Sequence, residues 1–267
     1  MFAFELLKMG PKISIVTICY NSQDYIEDAI NSIISQDYNN KEFVIVDGCS
    51  TDNTLQIIEK YKNQIDIVIS EPDKGISDAF NKGINVSTGD IIGLINSDDL
   101  LCEGALKKLA QHYRPGVDVF RGNSIFWNDK SGFQGRDIPT MHFPVVPYKL
   151  HICHQSTFIR KDAYKKYGNY LLDFKYMMDL ELLRRFSRLG ANFEYIDADL
   201  AVFRLGGVSQ ESEGKKWEER KKVILLNGGN NFHVLLFKCY LLFRQGLKKL
   251  ATLFGEDFRL RFITQKV

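Results

Sequence analysis

Acidic side chains follow the hydrophobic, strand-like segments of this chain, and they are the residues best suited to chemistry. Asp47 closes one such segment, and Asp98 and Asp99 come directly after another, 90–95. Two adjacent carboxylates repel each other unless a cation or a hydrogen-bond donor joins them. Oxygen ligands of this kind suit Mg²⁺ or Mn²⁺, held by one or two carboxylates plus substrate phosphates. The pair therefore predicts a divalent cation and a ligand that carries a diphosphate.

Glycine-rich phosphate-binding loops do not occur in the sequence. No G-x-G-x-x-G follows the first strand-like segment, where Ile18-Cys-Tyr-Asn-Ser-Gln-Asp24 stands, and no G-x-x-x-x-G-K-[ST] is found. Dinucleotide oxidoreductases and P-loop NTPases are disfavoured for this reason. A carboxylate-bound metal would then neutralise the diphosphate, as glycine-rich loops do elsewhere.

A repeated strand–turn–helix plan must position these carboxylates. The β-branched run 13–18 ends at a turn, after which isoleucines recur at helical spacing from Ile26. The segments 42–47, 65–70 and 90–95 continue the series. Apolar strands that alternate with amphipathic helices predict a parallel sheet covered on both faces. Ligands of such sheets bind beyond the carboxyl ends of the strands, where the acidic residues stand.

Composition limits the class of protein. The 267 residues are 45% hydrophobic and 25% charged, which indicates a globular chain with one large domain or a domain plus an appendage. The net charge of +2 is uneven, because residues 214–267 carry +8 and residues 1–213 carry −6. Five scattered cysteines without a C-x-x-C motif favour a reducing compartment. The apolar stretch 232–243 is too short to span a bilayer, so we expect a cytoplasmic protein.

Four stretches of the sequence, taken together, resemble the family-2 glycosyltransferases. They occur in the family's order and at its spacing, within a resemblance that covers residues 12 to about 200. The resemblance implies the α/β GT-A nucleotide-diphospho-sugar transferase fold, a mostly parallel sheet flanked by helices with a C-terminal helical extension. The stretches are Ser14-Ile-Val-Thr-Ile-Cys-Tyr-Asn21, Val46-Asp-Gly-Cys-Ser-Thr-Asp-Asn-Thr54, Ser70-Glu-Pro-Asp-Lys-Gly-Ile-Ser-Asp-Ala-Phe-Asn-Lys-Gly83 and Gly93-Leu-Ile-Asn-Ser-Asp-Asp99.

The resemblance also implies roles for residues of the nucleotide-binding half. Thr17, Tyr20 and Asp47 would line the base pocket, with Asp47 accepting from a uracil N–H. Asp99 would bind Mn²⁺ or Mg²⁺, and Asp98 would face the ribose or assist the cation. Two further residues fall in a family loop near the nucleotide and the sugar, namely Lys74 near the nucleotide and Asn81 near the sugar or acceptor.

The second half would supply the acceptor side and the base. Asp179 aligns with the family's catalytic Asp, and an inverting transfer needs a carboxylate to take the proton of the acceptor hydroxyl. The alternative for Asp179 is a helix N-cap, and Glu181 is the weaker candidate because it points elsewhere on a helix. His154, with Gln155, is expected either at the acceptor site or as a packed histidine. No histidine stands after the last strand, so either Arg204 or Gly206, Gly207 and Ser209 would hold the diphosphate.

The expected organisation has three parts. An N-terminal extension covers 1–11, and the glycosyltransferase domain covers 12–210, with a nucleotide-binding half 12–100 and an acceptor half 101–210. The basic extension 211–267 shows an amphipathic helical repeat. Through residues 215–260 it would contact either the inner face of a membrane or a protein surface, including a second copy of this chain. Nucleic acid is disfavoured because the body is acidic and no recognition motif occurs.

These features predict an inverting glycosyltransferase that moves a sugar from a nucleotide-diphosphate donor, UDP-linked, to a saccharide or lipid-linked saccharide of a bacterial cell surface. Loops after Asp99 and around 120–147 would select donor sugar and acceptor. One alternative is a sugar nucleotidylyltransferase, which would need a Gly-rich, Arg-containing loop where Tyr20 to Gln23 stand. The other is a non-catalytic sugar-binding or membrane-docking subunit of the same fold.

Overall fold

The computed structural model describes residues 10–129, 131–146, 152–205 and 213–252. Within them the chain forms nine strands and eight α-helices. The strands are β1 (Ile13–Cys19), β2 (Lys41–Asp47), β3 (Ile67–Ser70), β4 (Ile91–Asn96), β5 (Leu100–Leu101), β6 (Val119–Asn128), β7 (Phe133–Asp137), β8 (Thr157–Arg160) and β9 (Phe193–Arg204). The helices are α1 (Ile26–Ile34), α2 (Thr54–Lys60), α3 (Ile76–Val86), α4 (Ala105–His112), α5 (Lys161–Tyr167), α6 (Met178–Arg188), α7 (Glu213–Leu226) and α8 (Asn231–Thr252).

The strands form one mixed sheet in the order β3-β2-β1-β4-β8-β6-β9-β5, with β7 paired to β6. β1 pairs in parallel with β2 and β4, and β2 pairs in parallel with β3, as expected of the nucleotide-binding half. The second half contains both orientations, because β8 is antiparallel to β4 and β6 whereas β6 is parallel to β9. The stretch around 120–147, which we expected to be a loop, contains most of β6 and all of β7.

Two apolar clusters cover the two faces of the sheet. All seven residues of β1 are buried, and successive side chains point to opposite faces. Ile13 and Ile15 pack in the cluster that includes α1, whereas Val16 packs in the cluster that includes α3 and α6. Because β1, β2 and β4 are parallel neighbours, their carboxyl ends meet at one edge of the sheet. This edge carries the predicted acidic residues.

Gly93 permits the change of strand direction behind that edge. A methyl group at this position would lie 2.5 Å from Cε1 of Phe158 and 3.0 Å from Cδ1 of Ile15. Gly93 pairs with Phe158 in the antiparallel register of β4 and β8. A side chain here would therefore separate the strand that precedes Asp98 from the strand that follows His154.

The C-terminal helices are joined to the domain rather than separate from it. Val223 of α7 is fully buried in the cluster that includes α6, although it lies beyond the expected boundary at 210. The ring of Trp217 stacks on Phe237 of α8 at 6.3 Å between centroids. No helix within the described ranges is both long and apolar enough to cross a membrane. Most of the predicted N-terminal extension and residues 253–267 lie outside the described residues.

Candidate active site

Asp99, the second carboxylate after β4, is held from three sides. Its side chain is 1% exposed, and its Oδ1 accepts the backbone N–H of Arg204 at 3.0 Å. Its Oδ2 accepts from Nε2 of Gln155 at 2.5 Å and from Nδ2 of Asn96 at 3.0 Å. These donors come from three different strands or strand ends, so the sheet itself fixes the position of this carboxylate.

Asp98 and Asp99 differ in exposure, but burial disfavours the charged form of both carboxyl groups. Burial raises the pKa of both carboxyl groups, and the neighbouring charge of Asp98 contributes to raising the pKa of Asp99 to about 7. Asp98 is only partly buried, so its carboxylate is the accessible one of the pair. A divalent cation bound here would remove the repulsion between the two groups, and the oxygen ligands suit Mg²⁺ or Mn²⁺.

The remaining ligands of such a cation would have to come from the substrate. Among the described residues no group of three or more His, Cys, Asp or Glu side chains could hold a metal ion. Mg²⁺ is commonly bound by one or two carboxylates plus phosphate oxygens. The residues present fit a cation that binds together with a nucleotide diphosphate.

His154 connects this carboxylate pair to Asp179. Its Nδ1 lies 2.9 Å from Oδ2 of Asp179, and its Nε2 lies 3.3 Å from Oδ1 of Asn96. Because Asn96 uses its Nδ2 to donate to Asp99, its Oδ1 is an acceptor, and both ring nitrogens of His154 therefore face acceptors. Burial alone would lower the pKa of His154, but the charge and hydrogen bond of Asp179, together with the charges of Asp99 and Asp98, outweigh burial and raise it. The raised pKa and the two acceptors favour an imidazolium that donates in both directions.

Asp179 lies in the first turn of α6 but does not cap it. The N-cap is Met177, whose side chain makes no capping hydrogen bond, so a simple cap role for Asp179 is not supported. Oδ2 of Asp179 accepts from His154, whereas Oδ1 is buried and has no hydrogen-bond partner among the described residues. Because Oδ1 has no donor, its lone pairs are free to take a proton from a hydroxyl that reaches it once the side chains covering it move.

Glu181 has a different environment, as its helical spacing predicts. Its side chain is buried and accepts from Nε of Arg185 at 2.9 Å. The guanidinium of Arg185 also donates to the carbonyl oxygens of Tyr167, Gly168 and Asn169. Glu181 therefore stabilises the turn after α5 rather than serving the Asp179 side of α6.

The base-pocket candidates occupy different depths. Tyr20 is 63% exposed, and a side chain built at Gly48 would meet both its ring and Oδ2 of Asp73. Thr17 is completely buried in β1, and its hydroxyl has no hydrogen-bond partner among the described residues. An exposed aromatic ring suits stacking on a base, so Tyr20 is the most accessible of the predicted contacts.

Asp47 holds the turn that follows β2. It is fully buried and accepts from the backbone N–H of Ser50 at 3.0 Å and from the hydroxyl of Ser70 at 2.7 Å. The hydroxyl of Ser50 and the thiol of Cys19 approach the same carboxylate. A contact between Asp47 and a uracil N–H stays a prediction, and it requires one of these donors to release a carboxylate oxygen.

Lys74 lies just before α3, and Asn81 lies in the middle of that helix. Lys74 is exposed, and its backbone N–H donates to Asp78 at 3.0 Å. Asn81 uses both ends of its amide on the backbone of Tyr170, donating to the carbonyl at 2.8 Å and accepting from the N–H at 3.0 Å. In this structure Asn81 thus positions the segment before α6, and a direct contact with sugar or acceptor stays a prediction.

Arg204 is engaged by the protein itself. Its guanidinium lies between the rings of Tyr25 and Trp127, 4.9 Å and 4.8 Å from their centroids. It also pairs with Asp28 at 3.1 Å and Asp129 at 3.4 Å. A contact between this guanidinium and a diphosphate would have to replace these carboxylates. The alternative diphosphate ligands Gly206, Gly207 and Ser209 lie outside the described residues.

The structure therefore brings some predicted residues together and leaves others apart. One continuous series of hydrogen bonds joins Asp179, His154, Gln155, Asp99 and the backbone of Arg204, with Asn96 as the connecting side chain. Asn96 belongs to the Gly93–Asp99 stretch, but nothing in the sequence distinguished it from a turn residue. The predicted base-pocket residues and Lys74 are not part of this series.

Glu219 of α7 is a second residue that sequence reasoning did not identify. Its carboxylate accepts the backbone N–H groups of Lys175, Tyr176 and Met177 at 2.9, 2.7 and 2.8 Å. These three residues lead directly into α6, two positions before Asp179. No local signal indicates this contact, because Glu219 is 40 positions from Asp179 in a run of charged residues.

Comparisons with known proteins identify the family. The sequence signature described as Glycosyl transferase family 2 matches residues 14–168. The chain belongs to glycosyl transferase family 2. This match argues against a sugar nucleotidylyltransferase, and it includes Asp98, Asp99, His154 and Gln155 but ends before Asp179. It covers more than half of the chain and confirms the family expected from the sequence.

Relatives of this family-2 chain include EpsE of Bacillus subtilis, a glycosyltransferase by name. The two sequences are 29% identical over 195 residues, which are 69% of this chain and 69% of EpsE. The poly(ribitol-phosphate) β-N-acetylglucosaminyltransferase TarS of Staphylococcus aureus is 33% identical over 137 residues, 49% of this chain and 23% of TarS. The chain therefore spans less than a quarter of TarS in this alignment.

Solved structures show the same fold. Residues 1–349 of TarS in complex with UDP-GlcNAc superpose with a TM-score of 0.65 at 21% identity, over 86% of this chain and 71% of that one. The mannosyltransferase PcManGT of Pyrobaculum calidifontis, solved with GDP-Man and Mn²⁺, gives a TM-score of 0.57 at 16% identity, over 79% of this chain and 61% of that one. Both likenesses support the GT-A-like α/β fold with a mixed sheet.

Proposed function

We propose that this protein is an inverting glycosyltransferase that uses a UDP-linked sugar donor and a saccharide or lipid-linked saccharide acceptor. The observation that carries the proposal is Asp179, whose Oδ1 is buried without a donor while its Oδ2 is fixed by His154. Family membership supports transfer, and complexes of a fold relative with UDP-GlcNAc and UDP support the choice of nucleotide. The name of TarS, a poly(ribitol-phosphate) β-N-acetylglucosaminyltransferase, supports a polymer as the acceptor.

The proposed step balances as a single displacement. Oδ1 of Asp179 takes the proton of the acceptor hydroxyl while that oxygen forms a bond to the anomeric carbon. The bond between the anomeric carbon and the diphosphate oxygen breaks on the opposite side, and its electron pair leaves with the nucleoside diphosphate. Because the acceptor oxygen attacks on the side opposite the departing diphosphate, the configuration at the anomeric carbon inverts, and a single carboxylate suffices as the base. The transition state has oxocarbenium character.

Each remaining residue of the site supports this displacement. Asp98 and Asp99 would hold Mg²⁺ or Mn²⁺, which would neutralise charge on the departing diphosphate. Gln155 and Asn96 keep Asp99 in place, and His154 orients Asp179. All five cysteines are unpaired, which supports a reducing, cytoplasmic location for the reaction.

The test combines donor binding with transfer. A thermal-shift panel of UDP-, GDP- and CDP-sugars with and without Mn²⁺ is expected to show stabilisation by UDP-sugars that depends on the cation. Asp179→Asn is expected to lower the rate of transfer by about 100-fold to 10,000-fold, the usual contribution of a general base. Donor stabilisation should remain unchanged in this variant.

Asp173→Asn is the matched control, because Asp173 is exposed in the segment before the same helix. It should transfer at the rate of the unmodified protein. Unchanged transfer in Asp179→Asn would contradict the assignment of the base. A flat response to every nucleotide would contradict the donor class, and donor binding without any transfer by the unmodified protein would favour a sugar-binding subunit.

A further inference from the structure

The C-terminal helix α8 has two apolar faces, and the residues that the structure describes cover only one of them. Phe237 is 3% exposed and packs with Val234 and Leu241 against α7. The other face consists of side chains spaced three and four residues apart over about 22 Å of helix. Its exposed members are Phe232, Leu235, Leu236, Cys239, Leu242, Phe243 and Leu247.

This uncovered face, residues 232–247, is large for a protein in water. Phe232 and Phe243 are 64% and 65% exposed, and the four leucines on the same stripe are each at least 37% exposed. Contiguous apolar patches on this scale mark contacts with proteins or membranes rather than ordinary surface. The helix is not apolar enough to cross a membrane, so a lipid contact would place it along the surface.

The charge of α8 decides whether a second copy of the chain or a lipid surface covers this face. The helix contains four Lys or Arg residues and no Asp or Glu. A second copy that covered this face with its own α8 would bring these basic residues together, which opposes association. An anionic lipid surface attracts them, whereas it repels the body of the protein, whose residues 1–213 carry −6. The charge asymmetry thus turns α8 toward the lipid and the rest of the chain away.

We propose that α8 docks the enzyme on an anionic phospholipid surface, with the uncovered face 232–247 inserted among the headgroups. Lys238 is exposed beside this face and contacts lipid phosphates. Lipid docking does not require the transfer reaction, but it affects the position of the active site. α8 packs on α7, and Glu219 of α7 binds the segment that enters α6. A docked α8 therefore holds Asp179 at a constant place relative to a lipid-linked acceptor.

The test is vesicle co-sedimentation of the full chain without donor or acceptor. Vesicles of equal parts phosphatidylcholine and phosphatidylglycerol are expected to bind the protein at least tenfold more strongly than phosphatidylcholine alone, and 0.5 M NaCl should remove most of this preference. The double variant Leu235→Ser/Phe243→Ser is expected to lose about tenfold or more of the binding, because two exposed apolar side chains no longer insert.

The control is Val68→Ser/Leu189→Ser, which removes two exposed apolar side chains from other parts of the surface. It should bind vesicles as the unmodified protein does. Equal binding to neutral and anionic vesicles, or equal loss in both double variants, would overturn the proposal. So would light scattering that shows a dimer in the unmodified protein, a monomer in Leu235→Ser/Phe243→Ser, and no vesicle binding by either.

Discussion

The contact between His154 and Asp179 is expected to couple the two residues energetically, and a double-mutant cycle measures that coupling. The perturbations are His154→Gln, Asp179→Asn and the double variant. The free energy of unfolding is measured for all four proteins by urea denaturation, and the coupling energy is the departure from additivity.

The magnitude follows from distance and burial. The two groups are 2.9 Å apart, and their side chains are only 11% and 21% exposed. Exposed ion pairs couple by about 0.2–1 kcal/mol, whereas removing one partner of a buried pair costs about 3–5 kcal/mol. Because this pair is mostly but not fully buried, we expect a coupling energy of about 2 kcal/mol at pH 6.

The pH dependence has a definite sign. Burial acts to lower the pKa of His154, but the charge and hydrogen bond of Asp179, with the charges of Asp99 and Asp98, raise it in the folded protein. A group whose folded pKa is raised contributes stability that is fully present below its unfolded pKa, about 6.5 for histidine. The contribution is lost as pH rises through the folded pKa. The coupling energy should therefore fall with rising pH to about 1 kcal/mol, the value of a neutral hydrogen bond.

Two results would refute this reasoning. A coupling energy below about 0.5 kcal/mol at pH 6 would show that the ring and the carboxylate act independently. A coupling energy that does not change between pH 6 and pH 9.5 would show that His154 is not an imidazolium. Circular dichroism of the four proteins checks that the variants share one fold.

The remaining predictions concern the cation and α7. Burial and the charge of Asp98 raise the pKa of Asp99 to about 7, so protons compete with a cation for this carboxylate. Stabilisation by Mn²⁺ plus UDP should therefore increase as pH rises from 6 to 8. Thermal shifts at fixed ligand concentrations measure this, and a response independent of pH would count against these carboxylates as ligands. Glu219→Ala removes the acceptor of three backbone N–H groups and is expected to cost about 2 kcal/mol of stability and to lower the rate of transfer. Glu218→Ala, whose side chain is exposed and pairs only with Lys221 among the contacts described, should change neither, and equal effects of both variants would contradict the role of Glu219.

Local pattern predicted the first half of the fold well. The β-branched run 13–18 became β1, and the helix expected from the isoleucines that recur from Ile26 is α1. Both succeeded because a buried parallel strand or an amphipathic helix is encoded by neighbouring residues. The stretch around 120–147 was expected to be a loop because its glycine and aromatic residues show no regular period. It contains most of β6 and all of β7, because β8 and β9 supply hydrogen-bond partners for β6 from distant parts of the chain and β7 pairs with β6.

Residue types predicted which groups are chemical but not how each one is engaged. Asp98 and Asp99 were identified from adjacency alone, yet only the pairing of strands shows that Gln155, Asn96 and Arg204 hold Asp99. Arg204 was assigned to the diphosphate, and the fold places its guanidinium between Tyr25 and Trp127. The basic extension was recognised from its charge, but the division into a packed α7 and a half-covered α8 was not.

The sequence by itself determined the acidic strand ends, the family and the charge asymmetry, because these depend on residue identity and on spacing within a few turns of chain. Only the tertiary structure decided that His154 bridges Asp179 and Asn96 and that Glu219 supports the entry to α6. Such contacts join residues 25 to 58 positions apart, and their energy depends on a distance of about 3 Å and on the exclusion of water. Neither quantity can be obtained from local sequence pattern, because both arise when the sheet closes its long-range pairs.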